Sequence, residues 1–221
     1  MIRIDYLRQS GIYDPLKNSQ PVTLIGCGGI GSFAAVALAK LGIKKMTLYD
    51  DDKIEFHNLP NQMFKVNGSN GKRKVYEVAD LCTDFSDDVT VEPHADKFKD
   101  QQVSGIVISG VDSMESRKVI WEKIKFNPAV GLYIDARIGG QGIRVLTVNP
   151  LNKKAVKDYE KSLHTDDEAE DLACTDRNII DVGFAVASII VRLVRGFLTK
   201  EKIPSVVLLS MKELTLTTVG G

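Results

Sequence analysis

At 221 residues, 43% apolar and 26% charged, the chain is long enough to bury a full core and has the composition of an ordinary globular domain. Its formal net charge of zero leaves no global field to recruit nucleic acid or an anionic membrane, and its longest apolar stretch, 183–191, is too short to span a bilayer. Cys27, Cys82 and Cys174 are odd in number, widely spaced and without a C-x-x-C pair, which argues against a disulfide framework or a structural zinc and for a reducing, cytoplasmic setting.

The first element is the short β-branched run Val22–Ile25, followed by Gly26, Gly28 and Gly31 as G-x-G-x-x-G and by a helix-like run over 30–41. Glycine lets the backbone turn tightly and approach a phosphate with no Cβ in the way, and the helix N-terminus behind it offers unpaired N–H groups to the anion. A second strand-like run, Lys45–Tyr49, ends at Asp50, 19 residues after Gly31. That is where the acid of a dinucleotide-type fold reaches the ribose hydroxyls. Strand, glycines, helix and acid in register predict a nucleotide site.

Further strand-like runs at 89–91, 105–109 and 132–135 alternate with helix-like runs at 71–81 and 113–125. Such alternation predicts a parallel sheet with helices on both faces. After Pro150 the pattern changes: 151–163 is polar and mixed, and 165–171 (TDDEAED) is an acidic run with the composition of a mobile loop. The span 151–176 therefore reads as a crossover loop within one domain covering 1–221. An apolar core helix is expected over 177–198 and a hairpin over 205–209 and 213–219. The expected fold is α/β, a Rossmann-like, mostly parallel sheet with helices on both faces and C-terminal antiparallel strands.

Five motifs then line up in order: Arg8-Gln9 before the first strand; LIGCGGIGS in the glycine loop; MTLYDDDKIEFHNLPNQMF after it; Gly71-Lys72-Arg73-Lys74-Val75; and Val111-Asp112 followed by Arg117. Over roughly 6–150 the chain resembles the adenylating domain of ubiquitin-activating enzymes and their bacterial relatives, the ThiF/MoeB/HesA adenylyltransferases. The resemblance implies ATP-dependent adenylation of the C-terminal glycine carboxylate of a small ubiquitin-like or sulfur-carrier protein ending in Gly-Gly, giving an acyl-adenylate and pyrophosphate. It also implies a set of roles. Gly26, Gly28, Gly29 and Gly31 cradle ATP; Asp50 holds the ribose with Asp52 nearby; Asn58 and Gln62 belong to the nucleotide site. Lys74 contacts the phosphates and Asp112 carries Mg²⁺, for which one carboxylate plus phosphate oxygens is a sufficient donor set. Arg8 reaches the site of a partner subunit in a homodimer. Cys174, in Ala173-Cys174-Thr175, stands where relatives carry a thioester cysteine.

Each of these residues also has a plainer reading. Lys74 is then a solvated surface charge, Asp112 an N-cap for the following helix, Arg8 a terminal surface charge and Cys174 a small buried hydrophobe. The chain departs from the family pattern at Asn61, where an arginine is usual, and at Ser113, where the asparagine after the metal-binding aspartate is usual. Two other functions stay open. An NAD-dependent oxidoreductase shares the glycine loop and Asp50 but explains neither Lys74 nor the Asp112/Arg117 pair. A catalytically degenerate, nucleotide-binding partner subunit is favoured by Asn61.

Overall fold

The structure is a computed structural model that describes residues 5–18, 20–163 and 179–220. Eight strands form one sheet in the order β3-β2-β1-β4-β5-β6-β7-β8. The strands are β1 (Val22–Ile25), β2 (Lys45–Tyr49), β3 (Thr90–His94), β4 (Gly105–Ser109), β5 (Val130–Gly139), β6 (Gly142–Val148), β7 (Val206–Ser210) and β8 (Thr215–Val219). The first five are parallel to one another, and β5 to β8 continue antiparallel. The α/β, mostly parallel architecture with antiparallel C-terminal strands is thus observed.

Helices cover both faces. α1 (Gly31–Leu41), α2 (Lys74–Phe85) and α5 (Ile180–Leu198) share one core with Val22, Leu24, Ile106 and Ile134. α3 (Met114–Ile124) and α4 (Lys153–Glu160) share the other with Ile25, Val107 and Tyr133. β1 and β4 are buried on both faces, so they read as continuous apolar runs rather than alternating ones. The first crossovers pass over one face and the chain then returns for β4. The sheet therefore has a switch point between β1 and β4, where strand order reverses and a crevice opens at the carboxyl ends.

Two elements differ from the sequence expectation. β5 runs on through Gly139 and pairs with an unforeseen strand, β6, across a tight turn at Gly140-Gln141. The polar stretch expected to open the crossover loop contains α4, capped by Asn152, whose side chain accepts from Lys154 N and Ala155 N at 3.0 and 3.1 Å. Only Val156 and Tyr159 of α4 are buried, too narrow a stripe to declare an amphipathic helix in sequence. The acidic run 165–171 and Cys174 lie outside the described residues.

Candidate active site

The glycine loop joins β1 to α1 at the switch point. Gly26 has φ +93°, and a Cβ on it would come within 2.8 Å of the Gly110 carbonyl oxygen, so the loop and the end of β4 touch backbone to backbone. A Cβ on Gly31 would lie 1.8 Å from the Gly26 carbonyl oxygen. Gly28 differs, since the nearest atom to its Cβ position is Gln62 Nε2 at 3.8 Å. Ser32 Oγ staples the loop, donating to Gly28 O at 2.7 Å and accepting from Met63 N at 3.0 Å.

Asp50 follows β2 directly. Its Oδ2 accepts from Cys27 N at 2.7 Å and its Oδ1 from Asp52 N at 2.8 Å, so the acid is fastened to the glycine loop. Burial pushes the Asp50 carboxyl above the usual carboxylate range, while the two backbone N–H groups and Lys74 pull it back. Lys74 opens α2. Its amide donates to Asp52 O at 3.1 Å, and its Nζ lies 2.7 Å from Asp52 Oδ2. Lys74 is 7% exposed, which excludes the reading of a solvated surface charge. Gly26, Gly28, Gly31, Asp50, Asp52, Lys74 and Gln62 are therefore brought together around one crevice, with Gly29 in the same loop.

Other expected residues sit differently. Asn58 is buried, and its Oδ1 accepts from Glu55 N at 2.9 Å within its own short turn. Asp112 is exposed just beyond β4, and Ser113, not Asp112, caps α3 by accepting from Ser116 N at 3.2 Å. Arg8 is exposed in an N-terminal turn tied to the far end of α1 by a bond from Gln9 Nε2 to Leu41 O at 3.1 Å. Eleven helical residues separate that end from the glycine loop, about 16 Å. Arg8 is thus not part of this chain's own crevice. Cys174 falls outside the described residues.

Asp50, Asp51 and Asp52 place one carboxylate oxygen each within 4.8 Å of one another. Asp50 and Asp52 are already engaged with backbone amides and Lys74, so Asp51 and the exposed Asp112 are the carboxylates here that could offer an oxygen to a magnesium ion, which takes most of its ligands from phosphate and water. Cys27 and Cys82 are fully buried. Burial pushes the Cys27 thiol far up and the Cys82 thiol up to about 12, so neither supplies a thiolate at neutral pH. Iodoacetamide is expected to spare both in the folded protein and label them only after denaturation, as read by peptide mass mapping.

Sequence reasoning missed a buried polar cluster beside the crevice. Asp135 in β5 is fully buried and bonds Ser109, Arg117, Arg137 and Tyr159. The signal was a carboxylate inside an apolar strand, Leu132-Tyr133-Ile134-Asp135-Ala136-Arg137, because a buried charge requires partners. Arg117 and Arg137 are occupied in this cluster, while Arg73 donates to the Asp51 carbonyl and so joins Lys74 at the acidic turn.

Residues 5–218 match the ThiF family. The chain belongs to this family. It is similar to ubiquitin-like modifier-activating enzyme 5 of Drosophila persimilis, 34% identical over an alignment of 126 positions that covers 49% of this chain and 32% of the relative. The same enzyme of Dictyostelium discoideum is 30% identical over an alignment of 139 positions that covers 53% of this chain and 36% of the relative. The chain thus spans about a third of the length of these relatives. Its fold is similar to that of Escherichia coli MccB crystallised with AMPCPP and MccA, with a TM-score of 0.71 at 20% identity over 94% of this chain and 65% of MccB. PaaA gives a TM-score of 0.69 at 21% identity over 92% of this chain and 64% of PaaA.

Proposed function

We propose that this ThiF-family chain uses ATP to adenylate the C-terminal glycine carboxylate of a small ubiquitin-like or sulfur-carrier protein. A carboxylate oxygen attacks the α-phosphorus, an acyl-phosphate bond forms, and pyrophosphate leaves. The observation that carries the reading is the buried Lys74, its Nζ held at 2.7 Å from Asp52, two residues from Asp50, the acid bonded to the glycine loop itself. Carboxylate and triphosphate repel one another, so the site must supply positive charge where negative charge develops. Lys74 supplies it by exchanging Asp52 for a phosphate oxygen. Asp50 then takes the ribose, and Gly26, Gly28, Gly29 and Gly31 let the backbone approach the phosphates, with Asn58 and Gln62 bordering them. Magnesium, held by Asp112, would neutralise phosphate charge when bound. Relatives named as ubiquitin-like modifier-activating enzymes and a fold neighbour crystallised with an ATP analogue support this reading.

A homodimer belongs to the same proposal. Arg8, remote from its own crevice, would serve a partner's. An apolar groove of about 330 Å³ between α1 and α5, lined by Phe33, Val36, Met63, Phe184 and Val191, offers surface of the kind that subunits bury. The thioester step would fall to Cys174, whose Ala173-Cys174-Thr175 context resembles that of the family's thioester cysteine, whereas Cys27 and Cys82 are buried. Cys174→Ala is expected to keep pyrophosphate exchange and abolish any dithiothreitol-sensitive adduct with the carrier; an adduct that persists removes the thiol from the account. The buried thiols also suit a reducing, cytoplasmic setting, and among the described residues no helix is long and apolar enough to cross a membrane.

Asn61, where the family arginine is usual, favours a second reading in which the chain binds nucleotide as a degenerate partner subunit. Calorimetry separates the alternatives. ATP with Mg²⁺ is expected to bind and NAD to bind far more weakly; tighter binding of NAD excludes adenylation. Binding of ATP without pyrophosphate exchange favours the degenerate subunit.

A further inference from the structure

Asp135 lies outside the glycine loop and outside the five motifs that carry the family resemblance. Its carboxylate is fully buried and both oxygens are saturated. Oδ1 accepts from Ser109 Oγ at 2.9 Å and Arg117 Nε at 3.1 Å. Oδ2 accepts from Arg137 Nε at 2.8 Å and Tyr159 OH at 3.0 Å, with Arg137 Nη2 at 2.7 Å. Desolvating three ions is expensive, and apolar residues of equal volume would fill the same space at lower cost. What apolar residues cannot do is grip backbone carbonyls.

The rest of the Arg117 guanidinium does that. Nη1 donates to the Asp112 carbonyl at 3.3 Å and Nη2 to the Val111 carbonyl. A guanidinium is a rigid plane, so fixing Nε on Asp135 fixes the directions in which both Nη groups point. Val111 and Asp112 follow β4 immediately at the switch point, and the Val111 amide lies 3.2 Å from the Cβ position of Gly26. Arg137 forms a separate arm, with Nη1 on Ser162 O at 2.9 Å and Nη2 on Ser162 Oγ at 3.0 Å, which together with Tyr159 docks α4.

We infer that Asp135 is a positioning residue for the metal-binding carboxylate: by orienting Arg117 it fixes the Val111–Asp112 backbone and so aims Asp112 at the phosphate-bound magnesium. The inference rests on the adenylation reading, in which Asp112 carries the metal. It separates the two arms of the cluster. The Arg117 arm sets the metal, and the Arg137 arm sets the fold.

The test is calorimetric ATP binding by the full chain with saturating magnesium and again with EDTA, where the ratio of the two affinities is the gain due to metal. Asp135→Asn and Arg117→Lys are expected to lower that gain about tenfold, the usual consequence of losing a group that orients a ligand, while metal-free ATP affinity stays at the wild-type value. Arg137→Lys is expected to lower the melting temperature and leave the gain unchanged. Should Asp135→Asn fail to fold, Arg117→Lys decides alone, since a lysine cannot reach the carboxylate and both carbonyls together. An unchanged gain in Arg117→Lys, a parallel loss of metal-free affinity, or an equal fall in Arg137→Lys overturns the inference. A wild type that binds ATP indifferently to magnesium overturns it as well. A wild type with no affinity for ATP in either condition instead removes the adenylation reading beneath it.

Discussion

Lys74→Ala is expected to slow ATP–pyrophosphate exchange by about 100- to 1,000-fold, the range seen when one preorganised electrostatic donor is removed from a transition state. The fold should survive the change. The amide of Lys74, which α2 uses to anchor on the Asp52 carbonyl, is kept, and the Asp52 side chain, 63% exposed, returns to water instead of being left as a buried unpaired charge. Lys74→Arg restores the charge but replaces a compact ammonium with a planar fork, so it should rescue exchange only in part. The measurement is exchange at saturating ATP beside a thermal melt. Exchange within about threefold of wild type, against the 10²-fold norm for such donors, would take Lys74 out of the chemistry.

Gly31→Ala and Gly28→Ala should fail in different ways. At Gly31 the added methyl would sit 1.8 Å from a backbone oxygen of the same loop, so either the loop opens or the start of α1 shifts. A stability loss of about 1–3 kcal/mol or more is expected from such overpacking, together with about 100-fold weaker ATP binding from displacement of the cradle. At Gly28 the methyl meets only the Gln62 amide at 3.8 Å. Gly28→Ala should therefore melt like wild type and still bind ATP poorly, because the methyl stands where the phosphates must approach. Urea denaturation and calorimetry on the two variants read both quantities. Equal destabilisation of the two, or undiminished ATP binding by Gly28→Ala, contradicts the loop's assignment.

The nucleotide half of the fold was legible because its signals are local. Val22–Ile25, Lys45–Tyr49 and Gly105–Ser109 are short apolar runs buried in a parallel sheet, and their observed bounds coincide with the sequence expectation. β6 escaped because its run, Gly142–Val148, carries Arg144 in its middle and follows a glycine-rich turn, which together resemble a loop. The crevice was legible in its glycines and in Asp50, whose spacing is fixed by one strand–helix–strand unit. The burial of Lys74 was not, since it depends on the turn at Asp50-Asp51-Asp52 folding back over the start of α2. Asp135 was the least visible. Its partners Ser109, Arg117 and Tyr159 lie 26, 18 and 24 residues away in sequence, and only the packing of α3 and α4 on one face brings them to the same carboxylate.

The central claim is that a C-terminal glycine carboxylate is activated at this crevice. Its most direct test is the incorporation of labelled pyrophosphate into ATP by the purified chain, with magnesium and a panel of small ubiquitin-fold proteins ending in Gly-Gly, each assayed beside a copy lacking the two terminal glycines. Exchange should require an intact tail and disappear in Lys74→Ala. Exchange that proceeds equally with the truncated carriers, or that survives the loss of Lys74, would contradict it.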